Sequence, residues 1–322
     1  MSQTAAPRTV TAAAPASPGM SRALTLLLAA ATGAIAANVY YAQPLLDVIA
    51  RSMGTSAGAA GAIVTVTQLG FALGLVFVLP LADIVKRRSL LTVLLLLDAA
   101  ALVALGFAPG LAVALVAFAA LGLANVAAQV LVPAAAHLAD DAQRGRTVAT
   151  VISGLLTGML LARTVAGVVT ELVGRRLLFL GAAVLMIVVN VVLRRALRGT
   201  DTDSGRRVGY GEVLRSTVRI YQADRAVRVR SAYGALGFAA FSIFWSTAAL
   251  QLSRAPFTYS PAVIGLFGLL GAVGAMAANL TGRVKRHTHP MPTAAAAVAL
   301  ITVAYAVLLV AGNTLGGIIA AC

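Results

Sequence analysis

Residues 86–108 read KRRSLLTVLLLLDAAALVALGFA, a basic triplet followed by 20 residues, Ser89 to Ala108, in which Asp98 is the sole ionisable side chain. Coiled as an α-helix, such a stretch rises about 30 Å, the thickness of a bilayer's hydrocarbon core. It is apolar on every face and has no polar side to turn to water, so it calls for lipid around it. Working outward, comparable runs lie near 23–46, 57–81, 110–136, 147–173, 177–194, 230–252, 260–281 and 291–312, which with 89–108 makes nine spans. Pro and Gly fall within or beside several of these runs, where neighbouring helices can satisfy the freed backbone groups. The first run is too long for the apolar region of a cleaved signal peptide, and eight more follow it. Composition agrees: 60% of the 322 residues are hydrophobic, 11% are charged and mean hydropathy is +0.93. Soluble domains sit near about 45–50% apolar and about 25% charged.

The formal charge of +15 raises nucleic acid as a partner, and the placement of the charge argues against it. Of 25 Lys and Arg, four (Arg51, Arg175, Arg176, Arg254) fall in one set of alternate loops, Arg163 lies inside a span, and the other 20 occupy the opposite set. That asymmetry is a topology signal, placing the N-terminus and the arginine-rich loops in the cytoplasm. Lys is nearly absent, with Lys86 and Lys285 alone beside many Arg, Ala, Val and Gly, a composition suited to a GC-rich bacterial genome. The lone cysteine, Cys322, rules out a disulfide framework within the chain.

The chain divides into a polar tail (1–22), a six-helix bundle (23–194), a basic linker (195–229) and an incomplete second bundle (230–322). In the linker, Leu214, Val218 and Tyr221 share a helical face beside Arg215 and Arg219, which suits either a helix on the inner leaflet or a solvated connection. Ile84-Val85-Lys86-Arg87-Arg88 after the second span is echoed by Arg283-Val284-Lys285-Arg286-His287 after the eighth, a faint internal repeat.

The run Asn38-Val39-Tyr40-Tyr41-Ala42-Gln43-Pro44-Leu45-Leu46 resembles the opening signature of a branch of bacterial major facilitator exporters, the sugar-efflux and drug-efflux-like (drug:proton antiporter) group. Gln129-Val130-Leu131-Val132-Pro133 and Gly154 to Gly167 resemble its fourth and fifth helices. The segment Leu79 to Arg88 resembles the superfamily's loop signature, with Leu79 and Lys86 standing where glycines are usual. The resemblance implies an all-α integral membrane protein of the major facilitator fold, with twelve spans and cavity-lining first, fourth and seventh helices. Against that plan, nine spans and a partial tenth ending at Cys322 lead to the expectation of a C-terminally truncated chain. By the same analogy, Asp83 with Lys86, Arg87 and Arg88 forms a cytoplasmic gate loop whose acid pairs with the opposite half.

Two ionisable residues lie deep in apolar runs, where each costs roughly 2.5–3.5 kcal/mol on insertion scales. Arg163, in the fifth span, either faces a central cavity and holds an anionic group or braces helices through backbone carbonyls. Asp98, in the third, is either a proton-coupling carboxylate or a neutral packing residue. Asn38, Tyr41, Gln43, Gln129 and Trp245 are the candidate cavity residues; the alternative is interhelical hydrogen bonding or, for the tyrosine, interfacial anchoring.

No enzyme or metal motif is present: His137, His287 and His289 fall in or beside loops, without HExxH or a phosphate loop. The expectation is a monomeric, multi-pass secondary transporter of a small molecule, with membrane lipids as its other partners, no nucleic acid, no cofactor, and the proton gradient as driving force. A non-transporting remnant of such a transporter is the rival reading, and an integral membrane enzyme a more distant one.

Overall fold

A computed structural model describes residues 20–199, 209–268, 299–307, 310 and 314. Among them the regular elements are all helical: α1 (Arg22–Tyr40), α2 (Leu46–Ser52), α3 (Ala57–Leu73), α4 (Arg87–Phe107), α5 (Leu111–Ala124), α6 (Ala127–Leu138), α7 (Arg144–Ala196), α8 (Tyr210–Ala223) and α9 (Arg225–Leu252). Short 3-10 turns at Gln43–Leu45 and Leu79–Asp83 and a π segment at Gly74–Val78 extend α1 and α3. Polar side chains start the helices where the chain leaves water: Ser21 accepts from the Leu24 amide, Ser56 from that of Ala59, and Asp224 from those of Ala226 and Val227.

Among the described residues, six stretches are long and apolar enough to cross a membrane: Arg22–Ser52, Gly58–Asp83, Arg87–Phe107, Leu111–Leu138, Arg144–Ala196 and Arg225–Leu252. The fifth, 53 residues, is broken at Gly174, where φ is 83° and ψ 159°. A side chain there would meet nothing within 4 Å, so the left-handed backbone rather than crowding selects glycine. The break falls in the gap between the runs expected at 147–173 and 177–194 and divides α7 into two arms. The run expected at 110–136 is likewise interrupted, since α5 and α6 are separate helices joined at Asn125 and Val126. Only 261–268 and 299–307 of the last two expected runs are described as continuous helix; most of their remainder, the partial tenth run beyond 314, the tail up to 19 and the repeat partner 283–287 lie outside the described residues.

Close backbone contacts fix how the helices run. The first arm of α7 lies alongside α1 in the same direction: a Cβ on Gly154 would stand 2.3 Å from the Ala29 carbonyl oxygen, and one on Gly158 2.1 Å from that of Gly33. The second arm returns antiparallel to α4, with Gly106 against Leu180 and Arg176 at one end and Arg88, Leu91 and Thr92 against Asn190, Leu193 and Arg194 at the other. Small residues permit this approach, and van der Waals packing holds helices together where lipid removes the hydrophobic drive. The core contains Leu28, Ile35, Leu95 and Leu102, and the edge-to-face pair Phe118–Phe179. Outward, Val116 and Leu172 are 72% and 75% exposed, a surface made for acyl chains rather than water.

This packing places Arg22, Arg88, Arg144 and Arg194 at one end of the bundle and Arg175 and Arg176 at the other. The residues at the sparser end are individually engaged. Arg175 donates to the Leu105 carbonyl at 3.4 Å, Arg176 lies 4.1 Å from the Phe107 ring centroid, and Arg51 pairs with Asp47.

Candidate functional site

Arg163 sits on the first arm of α7 and is 2% exposed. Its Nε donates to Gln43 Oε1 at 2.8 Å and Nη1 to the Met159 carbonyl at 3.3 Å. The guanidinium carbon stands 4.4 Å from the ring centroid of Trp245, 5.0 Å from that of Tyr40 and 5.4 Å from that of Phe241. Nη2 is buried without a hydrogen-bond partner among the described residues. Each ring contributes about 0.5–2 kcal/mol to a cation held this way, and a hydrogen bond to a charged group about 1.5–3 kcal/mol, enough to offset the roughly 2.5–3.5 kcal/mol of placing the charge at a helix centre. Among the described residues no carboxylate pairs with Arg163; the ion pairs there are Arg51–Asp47 and Arg144–Asp141, both toward helix ends.

The cage joins parts of the chain remote in sequence. Gln43 comes from the 3-10 turn after α1, Tyr40 from the end of α1, and Phe241 and Trp245 from α9. The start of the helix at 261–268 closes on the same arm: Thr164 donates its hydroxyl to the Gly265 carbonyl at 2.9 Å, and a Cβ on Gly167 would lie 2.1 Å from the Pro261 carbonyl oxygen.

A cavity of ≈ 250 Å³ adjoins the cage, with Tyr40 and Met159 common to both. Its polar lining is Gln68, Asn125 and Gln129; Val39, Phe71, Leu155 and Phe238 contribute the apolar wall. Two of the three amides are already committed, Asn125 Nδ2 to the Ile35 carbonyl at 2.5 Å and Gln68 Nε2 to Ser242 Oγ on α9 at 3.5 Å.

Asp98, on α4, is 0% exposed, and its Oδ2 accepts from Asn38 Nδ2 at 2.9 Å. The other oxygens of the pair, Asp98 Oδ1 and Asn38 Oδ1, are buried with no donor among the described residues. A proton on the carboxyl would convert one of these acceptors into a donor.

The structure brings together four of the residues expected from sequence: Arg163, Gln43 and Trp245 in the cage, and Gln129 in the cavity wall. Two expectations are corrected. Asn38 turns to Asp98 and takes no part in the cavity lining. Tyr40, not Tyr41, faces the guanidinium, because successive residues of a helix point about 100° apart; Tyr41 is buried at 6% exposure elsewhere in the core. Phe241, Phe238 and Met159 were not anticipated, although Phe238, Phe241 and Trp245 recur at the three- and four-residue spacing of one helical face.

In the expected gate loop, Asp83 ends a 3-10 turn, is exposed, and makes no ion pair among the described residues. Lys86 is exposed at the N-cap of α4, Arg87 opens that helix, and Arg88 is half-buried beside Asn190 and Arg194 with Nε unpartnered. The amphipathic segment of the linker is α8, which buries no residue and is tethered by Tyr210, whose hydroxyl donates to the Phe77 carbonyl at 2.6 Å.

Comparison with known proteins places this geometry in a family. The chain is 45% identical over 247 residues to an uncharacterized transporter, YgaY, of Escherichia coli (strain K12), and 44% to its O157:H7 counterpart, named "Uncharacterized transporter YgaY"; each alignment covers 77% of this chain and 62% of the relative. It is 35% identical over 264 residues to "Probable transporter SCO4007" of Streptomyces coelicolor, covering 80% of this chain and 59% of that protein. The chain thus spans about three-fifths of the length of these relatives. Among solved structures it resembles a bacterial homolog of the human lysosomal transporter Spinster, inward-facing and unoccupied (TM-score 0.68, 15% identity, 93% of this chain and 71% of that one). It also resembles a mutant form of the peptide transporter POT in complex with alafosfalin (TM-score 0.63, 18% identity, 91% and 75%). With residues 28–322 matching the family profile as well, the chain belongs to the Major Facilitator Superfamily.

Proposed function

We propose that this chain is a secondary active exporter of a small organic solute, working by alternating access, with Arg163 and the adjoining cavity as its solute site. The observation that carries the reading is the caged guanidinium. A permanent charge is held at the junction of α1, α7 and α9, beside a cavity whose ≈ 250 Å³ suits a small molecule. A charge that only braced helices could be replaced by apolar packing at little cost, whereas one that meets a solute at the midplane has a reason to stay. Gln43 orients the guanidinium, Trp245, Tyr40 and Phe241 shield it, and Gln129 contributes a polar group to the wall.

Asp98 is the proposed proton carrier, paired with Asn38, and an inward proton flux drives the solute outward. The loop of Asp83, Lys86, Arg87 and Arg88 is the cytoplasmic gate, consistent with its place at the basic end of the bundle. The charge asymmetry supports a bacterial inner-membrane location with a cytoplasmic N-terminus. The working unit is a single chain.

A bacterial strain overexpressing the chain, grown across a panel of toxic solutes, tests the proposal. Tolerance of at least one compound is expected to rise and to vanish with Arg163→Ala; unchanged tolerance to every compound would count against export.

A further inference from the structure

We infer that the solute is a small organic anion, a monocarboxylate with an apolar or aromatic body, held by the free edge of the Arg163 guanidinium. This rests on the transporter reading above and narrows it from any small solute to one chemical class. A guanidinium has five N–H donors and no acceptor. In Arg163 one is given to Gln43 and one to Met159, while Nη2 has none of its donors satisfied among the described residues although the residue is 2% exposed. The aromatic rings of Trp245, Tyr40 and Phe241 crowd the cation but accept no in-plane hydrogen bond. What is missing is an acceptor along the edge, and a carboxylate can take one proton from each terminal nitrogen, the pairing to which the planar fork is matched.

The charge balance points the same way. Among the described residues no carboxylate neutralises Arg163, so a bound anion would complete the site electrically in a place where an unpaired charge is costly. The cavity argues for the body of the molecule. Its wall is largely apolar, and the amide nitrogens of Gln68 and Asn125 are already used within the protein. A polyhydroxylated solute would leave most of its hydroxyls unpaired there, at a cost for each. An aromatic or aliphatic body loses nothing in such a wall.

Trp245 is the single tryptophan of the chain and lies over the guanidinium, so its fluorescence reports on this site alone. The test titrates the purified 322-residue chain in lipid nanodiscs with benzoate and with benzamide, nearly the same shape without the charge. A saturable change in Trp245 emission is expected with benzoate, at an affinity at least about tenfold above benzamide, and lost in Arg163→Gln. Arg163→Lys, which keeps the charge but not the fork, should bind benzoate weakly and still prefer it over benzamide. Equal responses to benzoate and benzamide in the wild-type protein, or no saturable response to benzoate, would overturn the inference without recourse to any variant. Flux into proteoliposomes keeps the two readings apart. Transport of a neutral sugar that survives Arg163→Gln would overturn the anion site and leave the transporter standing, whereas Arg163-dependent benzoate binding without flux of any solute would uphold the site and remove the transporter.

Discussion

A methyl group added at Gly158 tests whether the approach of α1 to the first arm of α7 governs the site. A Cβ there would lie 2.1 Å from the carbonyl oxygen of Gly33 and 2.5 Å from its carbonyl carbon and Cα, all backbone atoms that cannot rotate away. Restoring ordinary contact requires the helices to part by about 1 Å. Such overpacking costs about 1–3 kcal/mol, against a gain of roughly 1 kcal/mol from replacing glycine by alanine inside a helix. Gly181, on the second arm of the same α7, has nothing within 4 Å of its own Cβ position, so Gly181→Ala receives the gain without the clash. The difference between Gly158→Ala and Gly181→Ala therefore isolates the packing term, and Gly158→Ala is expected to be the less stable by about 1–3 kcal/mol. The same shift of about 1 Å would draw Gln43 from its 2.8 Å bond with Arg163 to beyond hydrogen-bonding range, so Gly158→Ala should also weaken solute binding without touching the solute. Thermal melting of both variants in one detergent at one scan rate, followed through Trp245 emission, measures the first effect, and solute titration measures the second. Equal melting of the two variants, with wild-type binding in Gly158→Ala, would refute the argument that this contact is part of the working structure.

Other substitutions separate the proposed roles. Arg163→Ala removes the charge and leaves Gln43 Oε1 without its donor; binding is expected to fall by more than about tenfold in Trp245 titrations, since even one charged hydrogen bond is worth that much and the fork supplies two. Asp98→Asn retains the acceptor for Asn38 and replaces the unpartnered Asp98 Oδ1 with an NH2 that can donate to Asn38 Oδ1, so the protein should fold while pH-gradient-driven accumulation in proteoliposomes disappears and solute exchange continues; gradient-driven accumulation at the wild-type rate would take Asp98 out of the coupling. Tyr210→Phe deletes the bond to the Phe77 carbonyl, a loss of about 1 kcal/mol, and amide exchange across Tyr210–Ala223 should quicken several-fold while melting of the bundle stays unchanged.

The membrane-spanning helices were legible because their physical requirement is crude: some 20 apolar residues, bounded by charge, with the breaks at Gly174 and at Asn125–Val126 marked only by brief interruptions of pattern. Arg163 and Asp98 were legible for the converse reason, since a charge amid leucines is conspicuous in a single sequence. Their partners were not. Whether Tyr40 or Tyr41 meets the guanidinium depends on where α1 gives way to the 3-10 turn at Gln43–Leu45, a matter of one residue's rotation that apolar periodicity does not resolve. Asn38 read as a cavity residue because the first helix lines the cavity in the family the sequence resembles, yet its amide donates to Asp98 on α4 while Gln43, further along the same span, meets Arg163 on α7. Phe241 was hidden by the opposite effect: in a span where aromatic residues are ordinary, nothing in the sequence distinguishes a ring that shields a cation from one that meets lipid.

That divergence along α1 gives the proposed mechanism its physical form. Asn38 and Gln43 are the first span's links to the two intramembrane charges, Asp98 and Arg163, and the segment between them contains the end of α1 and the ring of Tyr40 and leads into the 3-10 turn that Gln43 opens. On the proposed reading, protonation of Asp98 changes which atoms of the Asn38 amide are satisfied, while solute binds the free edge of the same guanidinium that Gln43 holds through Nε. Both events act on the same few residues of one helix, whose packing against the first arm is too close to deform gradually. A segment under two such demands is suited to adopting one of two arrangements rather than a continuum, which is the condition for coupling two sites that do not touch.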